Sequence, residues 1–178
     1  LDGNSLGPLP KRAQERIQHT LNKEWGEMLV TGWNKAGWMD QPNKVGDRIA
    51  KLIGATSKTV TVGDTLSIKI FQALASATNY QKKRKVLLTD SSNFPSDIYA
   101  AQGLVNMIKA DHELKIVSTD NLIENINENI AAVFFTEVDY KTGRRYDAKK
   151  IINAAKQNGS LVILDLAHSA GAIDTNLT

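Results

Sequence analysis

The chain has 178 residues, of which 42% are hydrophobic and 23% charged, and its net charge is only +3. These values are typical of a globular domain that is long enough to bury a sizeable core. No run is apolar enough for a transmembrane helix, and the absence of cysteine excludes disulfides and thiolate metal ligands. We therefore expect a cytoplasmic protein with no membrane partner and no bound metal.

The N-terminal part predicts helices. Residues 1–9, rich in Gly, Asn and Pro, indicate an extended or turning segment. Helical spacing of apolar residues follows over 10–28, and the glycines of TGWNKAGWMDQP end that helix. A second helix is predicted over 43–53, with Gly54 placed to cap its C-terminus.

Strands and helices alternate after this point. Short apolar runs predict strands over 60–62, 85–89, 114–118, 131–136 and 161–166. Helices are predicted in DTLSIKIFQALASAT, SDIYAAQGLVNMI, NLIENINENI and DAKKIINAAKQNG, the last ended by Gly159. This order predicts an α/β fold with a mostly parallel sheet covered by helices on both faces. Ligands bind at the carboxyl ends of the strands in such sheets.

The basic cluster KKRK at 82–85 lacks the interleaved aromatic residues of a nucleic-acid-binding surface, and we interpret it as a solvated loop. The chain begins at Leu1 without a methionine, and it ends at Thr178 soon after its most informative motif. We expect it to be a piece of a longer protein.

The first two strand ends carry candidate site residues. GDTLS (63–67) leads directly into a helix, where free N–H groups and the hydroxyls of Thr65 and Ser67 suit an anion. Alternatively, Asp64 or Thr65 simply caps that helix. In the segment after the second strand, Phe94 precedes Pro95 and is therefore extended, so its ring is either part of the core or lies flat on a ligand ring.

The segment after the fourth predicted strand indicates only a loop, whereas the segment at the fifth carries candidate site residues. TEVDYKTGRRYD (136–147) predicts a hairpin-like loop after the hydroxyl of Thr136. In SLVILDLAHSAG, Asp165 lies inside an apolar run, where a carboxylate is costly to bury without a positive partner. One interpretation is a helix-capping Asp with a hydrogen-bonded His168. The other is an Asp that meets a protonated aromatic nitrogen, as the pyridinium of pyridoxal 5′-phosphate (PLP) requires. An anion-binding helix start, a stacking aromatic residue and a buried strand-end Asp together indicate a PLP site.

The sequence closely resembles the kynureninase family of fold-type I PLP enzymes, related to the aspartate aminotransferases. The resemblance rests on LDGNSLGPLP, GWNKAGW, GDRIAKLIGA, NFPSDIYAAQGL, YKTGRRYD and LDLAHSAGAI, in this order and almost end to end. It implies that residues 1–53 form an N-terminal segment of extended chain and helices. Residues 54–178 would then be part of a PLP-binding large domain, without the rest of that domain or the small C-terminal domain.

The resemblance also implies residue roles. Asp165 would bind the pyridinium nitrogen as the catalytic partner of the ring, and Phe94 would stack on it. Leu66 would contact the phosphate only through its backbone N–H. The implied cofactor-binding set is Thr65, Leu66, Phe94, Ser96, Asp97, Thr136, Asp165 and His168, and the implied substrate set is Trp33, Asn4 and Ser5.

The implied reaction is the hydrolytic Cβ–Cγ cleavage of kynurenine, or of 3-hydroxykynurenine, to the corresponding anthranilate and alanine in tryptophan catabolism, by a homodimer. The family's Schiff-base lysine belongs to a Tyr-Lys pair one strand beyond the Asp-Leu-Ala-His motif, and Thr178 precedes that strand. Tyr140–Lys141 comes before Asp165 and matches the family's turn instead. We therefore expect residues 1–178 alone to be inactive.

Three other interpretations remain. A cysteine desulfurase or an aminotransferase would share the Asp and His pattern, although the Gly-Asn-Ser-Leu-Gly and Gly-Trp-Asn segments argue against both. A non-catalytic flavodoxin-like binding module would tolerate the loss of Asp165. Nucleic-acid binding through Lys82–Lys85 has no supporting motif.

Overall fold

Residue contacts divide the chain into two units, Leu1–Gly63 with Ile173–Thr178, and Asp64–Ala172. The structure, a computed structural model, describes residues 5–108 and 111–177. Within those ranges no helix is both long and apolar enough to cross a membrane.

The first unit is helical, as the sequence predicts. Its helices are α1 (Lys11–His19), α2 (Gly32–Lys35) and α3 (Gln41–Leu52), and π-helical winding extends α1 over Thr20–Trp25. The buried carboxylate of Glu24 accepts hydrogen bonds from Arg16 Nη1 at 2.6 Å and Trp38 Nε1 at 2.8 Å. These bonds lower the pKa of Glu24 and tie the first helix to the segment after α2.

The end of α3 agrees with the prediction, whereas the strand predicted after it is wrong. Gly54 has φ 64°, and a Cβ there would lie 2.9 Å from Asn176 Oδ1, so glycine is required. Residues 60–62 form no strand. The Val60 carbonyl instead packs against the bare backbone of Gly46 in α3, and a short apolar run without a neighbouring strand cannot form a ladder.

The second unit is built on a parallel sheet. Its strands are β1 (Val86–Asp90), β2 (Glu113–Val117), β3 (Ile130–Thr136) and β4 (Leu161–Asp165). They lie in the order β2-β1-β3-β4, and every neighbouring pair is parallel. The predicted parallel α/β fold is therefore confirmed.

Apolar side chains alternate between the two faces of the sheet. Leu87 and Phe134 face the cluster that includes α4 (Leu66–Tyr80) and α5 (Pro95–Ile108). Leu88 and Phe135 face the cluster that includes α6 (Ala148–Gln157). Both faces are thus covered, which is the arrangement that near-continuous apolar strands need.

One predicted helix, NLIENINENI, is wrong. The structure has two short 3₁₀ turns there, Thr119–Asn121 and Ile123–Asn125. Asparagine side chains bond to nearby backbone: Asn125 Nδ2 donates to the Asn121 carbonyl at 2.8 Å, and Asn127 Oδ1 accepts from the Asn129 N–H at 3.0 Å. Such local bonds compete with helical ones.

The basic cluster is only partly a solvated loop. Lys82 and Lys83 are exposed, as interpreted from the sequence. Arg84 is half-buried, and its Nη1 donates to the carbonyls of Ile130 at 3.1 Å and Asn158 at 2.7 Å. This guanidinium therefore ties together the amino-terminal ends of β1, β3 and β4.

Candidate functional site

The carboxyl ends of β1, β3 and β4 lie at one edge of the sheet because these strands are parallel. Thr136 and Asp165 are register partners at the ends of β3 and β4. The Asp97 carboxylate interacts electrostatically with Asp165, and the Phe94 ring lies 5.8 Å from that of His168. The structure therefore brings together five of the predicted site residues at this edge.

Asp165 is a buried carboxylate with spare hydrogen-bonding capacity. It is 4% exposed, and its Oδ1 accepts the Ala167 N–H at 2.7 Å. Its Oδ2 is buried and has no partner among the residues that the structure describes. Burial raises the pKa of Asp165, partly offset by the Ala167 N–H and by His168. This oxygen is suited to accept a hydrogen bond from a cationic ligand.

A second buried carboxylate faces the same space. Asp97, in the first turn of α5, is 1% exposed. Burial and the neighbouring negative charge of Asp165 raise the pKa of Asp97 to about 6, against a weak opposing hydrogen bond from Ser96 Oγ at 3.5 Å. Two carboxylates that disfavour each other's ionisation lower the energy of any positive group placed between them.

Three rings lie in contact with one another at the same edge of the sheet. Phe94 lies edge-on to Tyr140, with centroids 4.9 Å apart, and Tyr140 lies roughly parallel to His168 at 6.4 Å. His168 Nδ1 is buried without a partner in the described chain. The arrangement is an apolar wall with one free imidazole nitrogen, suited to a flat ring that carries polar groups.

Sequence reasoning missed Tyr140 as a site residue, although it recognised the loop that carries it. The hairpin-like loop is confirmed by the antiparallel bridge between Val138 and Arg145. The carboxylate of Asp139 holds its turn by accepting the N–H groups of Lys141 at 2.7 Å and Thr142 at 3.1 Å. The sequence shows an aromatic residue at this turn, but it does not show that the turn folds back and brings Tyr140 beside Phe94.

Asp90, at the end of β1 on the same edge of the sheet, is tied into the fold by its own hydrogen bonds. Its Oδ1 accepts the Ser92 N–H at 2.9 Å, Thr119 Oγ1 at 3.0 Å and Tyr146 Oη at 3.0 Å. The sequence signal at Asp90 is weaker than at Asp165, because Asp90 follows its apolar run and precedes two serines, whereas Asp165 lies inside an apolar run.

The hydroxyl of Thr136 is used within the fold, whereas the start of α4 is exposed. Thr136 is fully buried, and its hydroxyl donates to the Val138 carbonyl at 3.3 Å. Thr65 is the N-cap of α4, with Oγ1 accepting the Ile68 N–H at 3.5 Å, and both Thr65 and Leu66 are exposed. Since α4 leads into the amino end of β1, its own N-terminus points toward the carboxyl edge of the sheet.

The predicted substrate residues lie in the first unit. Asn4 is outside the described residues, and Ser5 is exposed. Trp33 is half-exposed, and its ring packs edge-on against Trp38 with centroids 5.9 Å apart. No cluster of three or more His, Asp or Glu side chains suited to a metal ion occurs in the described ranges.

A parallel sheet with carboxylates and aromatic rings gathered at the carboxyl ends of its strands defines an α/β protein with a ligand site at that edge. The sequence matches the Aminotransferase class-V family over residues 1–178, and the chain belongs to that family.

Individual proteins resemble the chain in sequence or in fold. The chain is 41% identical to a kynureninase of Burkholderia mallei over 99% of its own length and 44% of the relative's length. It therefore spans less than half of the curated relatives that it matches. Among solved structures, the cysteine desulfurase CsdA of Escherichia coli superposes with a TM-score of 0.78 at 15% identity, over 98% of this chain and 46% of that one. A C-DES variant with glycine linked covalently to its PLP cofactor superposes with a TM-score of 0.68 at 15% identity, over 97% of this chain and 48% of that one. At these identities the two structures support the fold.

Proposed function

We propose that this chain contributes the cofactor site of a PLP-dependent kynureninase. The enzyme would cleave the Cβ–Cγ bond of L-kynurenine, or of 3-hydroxykynurenine, with water to give anthranilate, or 3-hydroxyanthranilate, and L-alanine. The observation that carries the proposal is the Oδ2 of Asp165, which is buried without a partner among the described residues and lies near His168 and Phe94. The 41% identity to kynureninases supports the substrate.

The residues at the sheet edge fit PLP. A protonated ring nitrogen supplies the positive partner that the buried oxygen of Asp165 lacks. The ring is flat and aromatic, as the wall formed by Phe94, Tyr140 and His168 requires. When bound, PLP supplies an electron-withdrawing ring that stabilises negative charge at the α-carbon of the substrate.

Three parts of the chain have a defined task in cofactor binding under this proposal. Asp165 accepts the ring N–H and holds its proton in place, because a buried carboxylate favours a neighbouring cation. Phe94 covers one face of the ring and excludes water from it. The N-terminal amides of α4, at Leu66 and Ser67, with the hydroxyl of Thr65, bind the phosphate through free N–H groups and the helix dipole.

The remaining predicted residues belong to the same proposal. Ser96, Asp97, Thr136 and His168 would contribute to the cofactor pocket. Trp33, Asn4 and Ser5 would contact the substrate, as the kynureninase resemblance implies. The active protein would be a cytoplasmic homodimer that acts on kynurenine in tryptophan catabolism and so serves NAD biosynthesis.

The test uses the complete open reading frame that encodes this chain, purified with PLP. Kynurenine and 3-hydroxykynurenine are supplied separately, and the fluorescence of the anthranilate product is followed. We expect growing fluorescence with at least one of them, and stoichiometric L-alanine. A protein without PLP, prepared by dialysis against a carbonyl-trapping reagent, is the control and should regain activity when PLP is restored.

Cysteine and other amino acids serve as competing substrates. Sulfur release from cysteine without anthranilate from either kynurenine would replace the proposal with a cysteine desulfurase, the second candidate, which the fold similarity to CsdA favours. No cofactor absorption band in the purified protein would return Asp165 to a helix-capping role.

A further inference from the structure

The loop Ser91–Phe94 joins β1 to α5 and presents the ring of Phe94. The backbone of Phe94 is held on both sides: its N–H donates to Asn93 Oδ1 at 2.8 Å, and its carbonyl accepts the Asp97 N–H at 3.0 Å. Pro95 follows as the first residue of α5 and needs no hydrogen-bond partner for its nitrogen. The position of the ring therefore depends on what holds Asn93.

Asn93 is anchored to the centre of the sheet by a buried relay. Its Nδ2 donates to Thr89 Oγ1 at 2.9 Å, and Thr89 Oγ1 donates to the carbonyl of Phe134 in β3 at 2.7 Å. Asn93 is 2% exposed and Thr89 is fully buried. Water cannot replace these bonds readily, so losing one leaves a buried polar group unsatisfied.

The relay admits one orientation of the Asn93 amide. The single hydroxyl hydrogen of Thr89 is used on the Phe134 carbonyl, so its oxygen can only accept from Asn93. A flipped amide would place its NH₂ group against the N–H of Phe94, two donors facing each other, and would lose both bonds. Thr89 thus fixes the amide, and the amide fixes the Phe94 backbone.

We propose that Thr89 and Asn93 are positioning residues that hold Phe94 against the cofactor ring. This inference rests on the proposed function, because it is cofactor binding that the position of Phe94 serves. Neither residue touches the cofactor in this proposal. They act through the Phe94 backbone, by making the loop rigid before the cofactor binds, which lowers the ordering cost of binding.

Two substitutions of Thr89 test the relay in the complete protein. Thr89→Val has nearly the same shape and lacks the hydroxyl, whereas Thr89→Ser keeps it. Thr78→Val is the matched control, since Thr78 is a buried threonine of α4 whose hydroxyl donates to the Ala75 carbonyl at 2.9 Å. Phe94→Ala removes the ring itself and should therefore weaken PLP binding more than any of the threonine substitutions.

The first measurement is PLP affinity, from an absorbance titration of the cofactor-free protein. We expect Thr89→Val to raise the Kd for PLP by about three- to tenfold, the equivalent of one lost buried hydrogen bond. Phe94→Ala should raise it further. Thr89→Ser and Thr78→Val should lie within about twofold of the wild type, even where Thr78→Val lowers Tm as much as Thr89→Val.

The second measurement is amide hydrogen exchange of Phe94 in the protein without PLP. Exchange should accelerate at least tenfold in Thr89→Val and stay unchanged in Thr78→Val. If Thr89→Val fails to fold, Thr89→Ala removes the same hydroxyl with a smaller side chain.

The two measurements separate the failure of the relay from the failure of the proposed function. An equal Kd in Thr89→Val and Thr78→Val overturns the inference, as does unchanged exchange at Phe94. A wild-type protein that binds no PLP overturns the proposed function, and with it the role of the relay in cofactor binding. A Thr89→Ser variant as weak in binding as Thr89→Val also overturns the relay, because the hydroxyl would then not be the cause.

Discussion

Two aspartates end strands at the same edge of the sheet, and they differ in how the chain treats them. Asp90, on β1, is fully buried and gives one oxygen to three donors, from Ser92, Thr119 and Tyr146. Asp165, on β4, is 4% exposed and receives one donor, the Ala167 N–H. Similar burial therefore accompanies very different hydrogen-bonding environments.

These two hydrogen-bonding environments distinguish a structural carboxylate from a ligand-binding one. The three donors of Asp90, all to its Oδ1, tie the end of β1 to the segment after β2 and to the hairpin after β3, although its Oδ2, like that of Asp165, is buried without a partner among the described residues. Asp165 accepts one hydrogen bond among the described residues, and burial raises its pKa against the opposing effects of the Ala167 N–H and of His168. A buried carboxylate with a single donor is costly to the fold alone, which points to a partner from outside the chain.

The largest expected effect is on turnover. Asp165→Asn should lower kcat by about 10²–10³-fold with either kynurenine substrate, because a neutral amide does not hold the proton on the cofactor ring. The measurement is the rate of anthranilate formation at saturating substrate and PLP. Asp90→Asn is the matched control, and it should change Tm with less than about a tenfold change in kcat. Equal losses of turnover in the two variants would contradict the distinction between these aspartates.

A smaller effect concerns thermal stability and involves Asp97, the buried carboxylate that interacts with Asp165. Its pKa in the folded protein is about 6, above the ordinary value of 3.8 for an aspartate, so the folded state keeps a proton that the unfolded chain loses first. The protonated carboxyl of Asp97 therefore stabilises the fold fully below about pH 4, and this contribution is lost as pH rises toward 6. Asp97→Asn should raise the Tm of the cofactor-free protein at pH 7–8 and leave it nearly unchanged at pH 4.

The measurement is thermal unfolding monitored from pH 4 to pH 8. Glu128→Gln, at an exposed position, is the control and should shift Tm little at any of these pH values. A gain for Asp97→Asn that is equal at pH 4 and pH 8 would show that ionisation of Asp97 is not its cause.

The smallest expected effect is at Asp90. Tyr146→Phe removes one of its three donors and should lower the free energy of unfolding by about 0.5–1.5 kcal/mol, the net contribution of one intramolecular hydrogen bond. Urea denaturation measures this loss. PLP affinity should remain within about twofold of the wild type, and a larger change in affinity than in stability would place Asp90 in the ligand site after all.

The sequence predicted those elements whose signals are local. Periodicity, Gly54 and Gly159 indicated α3 and α6, and unbroken apolar runs indicated β1 to β4. The strand over 60–62 failed because pairing depends on a distant neighbour. The helix predicted in NLIENINENI failed because asparagine side chains compete for the backbone.

The candidate site was predictable only in part for a related reason. Asp90 and Asp165 both end strands, and only Asp165 lies inside an apolar run, but the sequence does not show that Thr119 and Tyr146 come from elsewhere in the chain to donate to Asp90. Tyr140 likewise becomes a site residue only because the hairpin folds it onto Phe94. Contacts between segments decide these roles, and no pattern within one segment contains them.

The strand order has a consequence for synthesis of the protein on the ribosome. β1 pairs with β2 and β3, both of which follow it in the chain. When β1 leaves the exit tunnel, its apolar side chains, Leu87 and Leu88 among them, have no sheet to join until α5 and β2 have emerged. During that interval the nascent chain exposes an aggregation-prone segment, and β1 is where we expect a chaperone to engage it first.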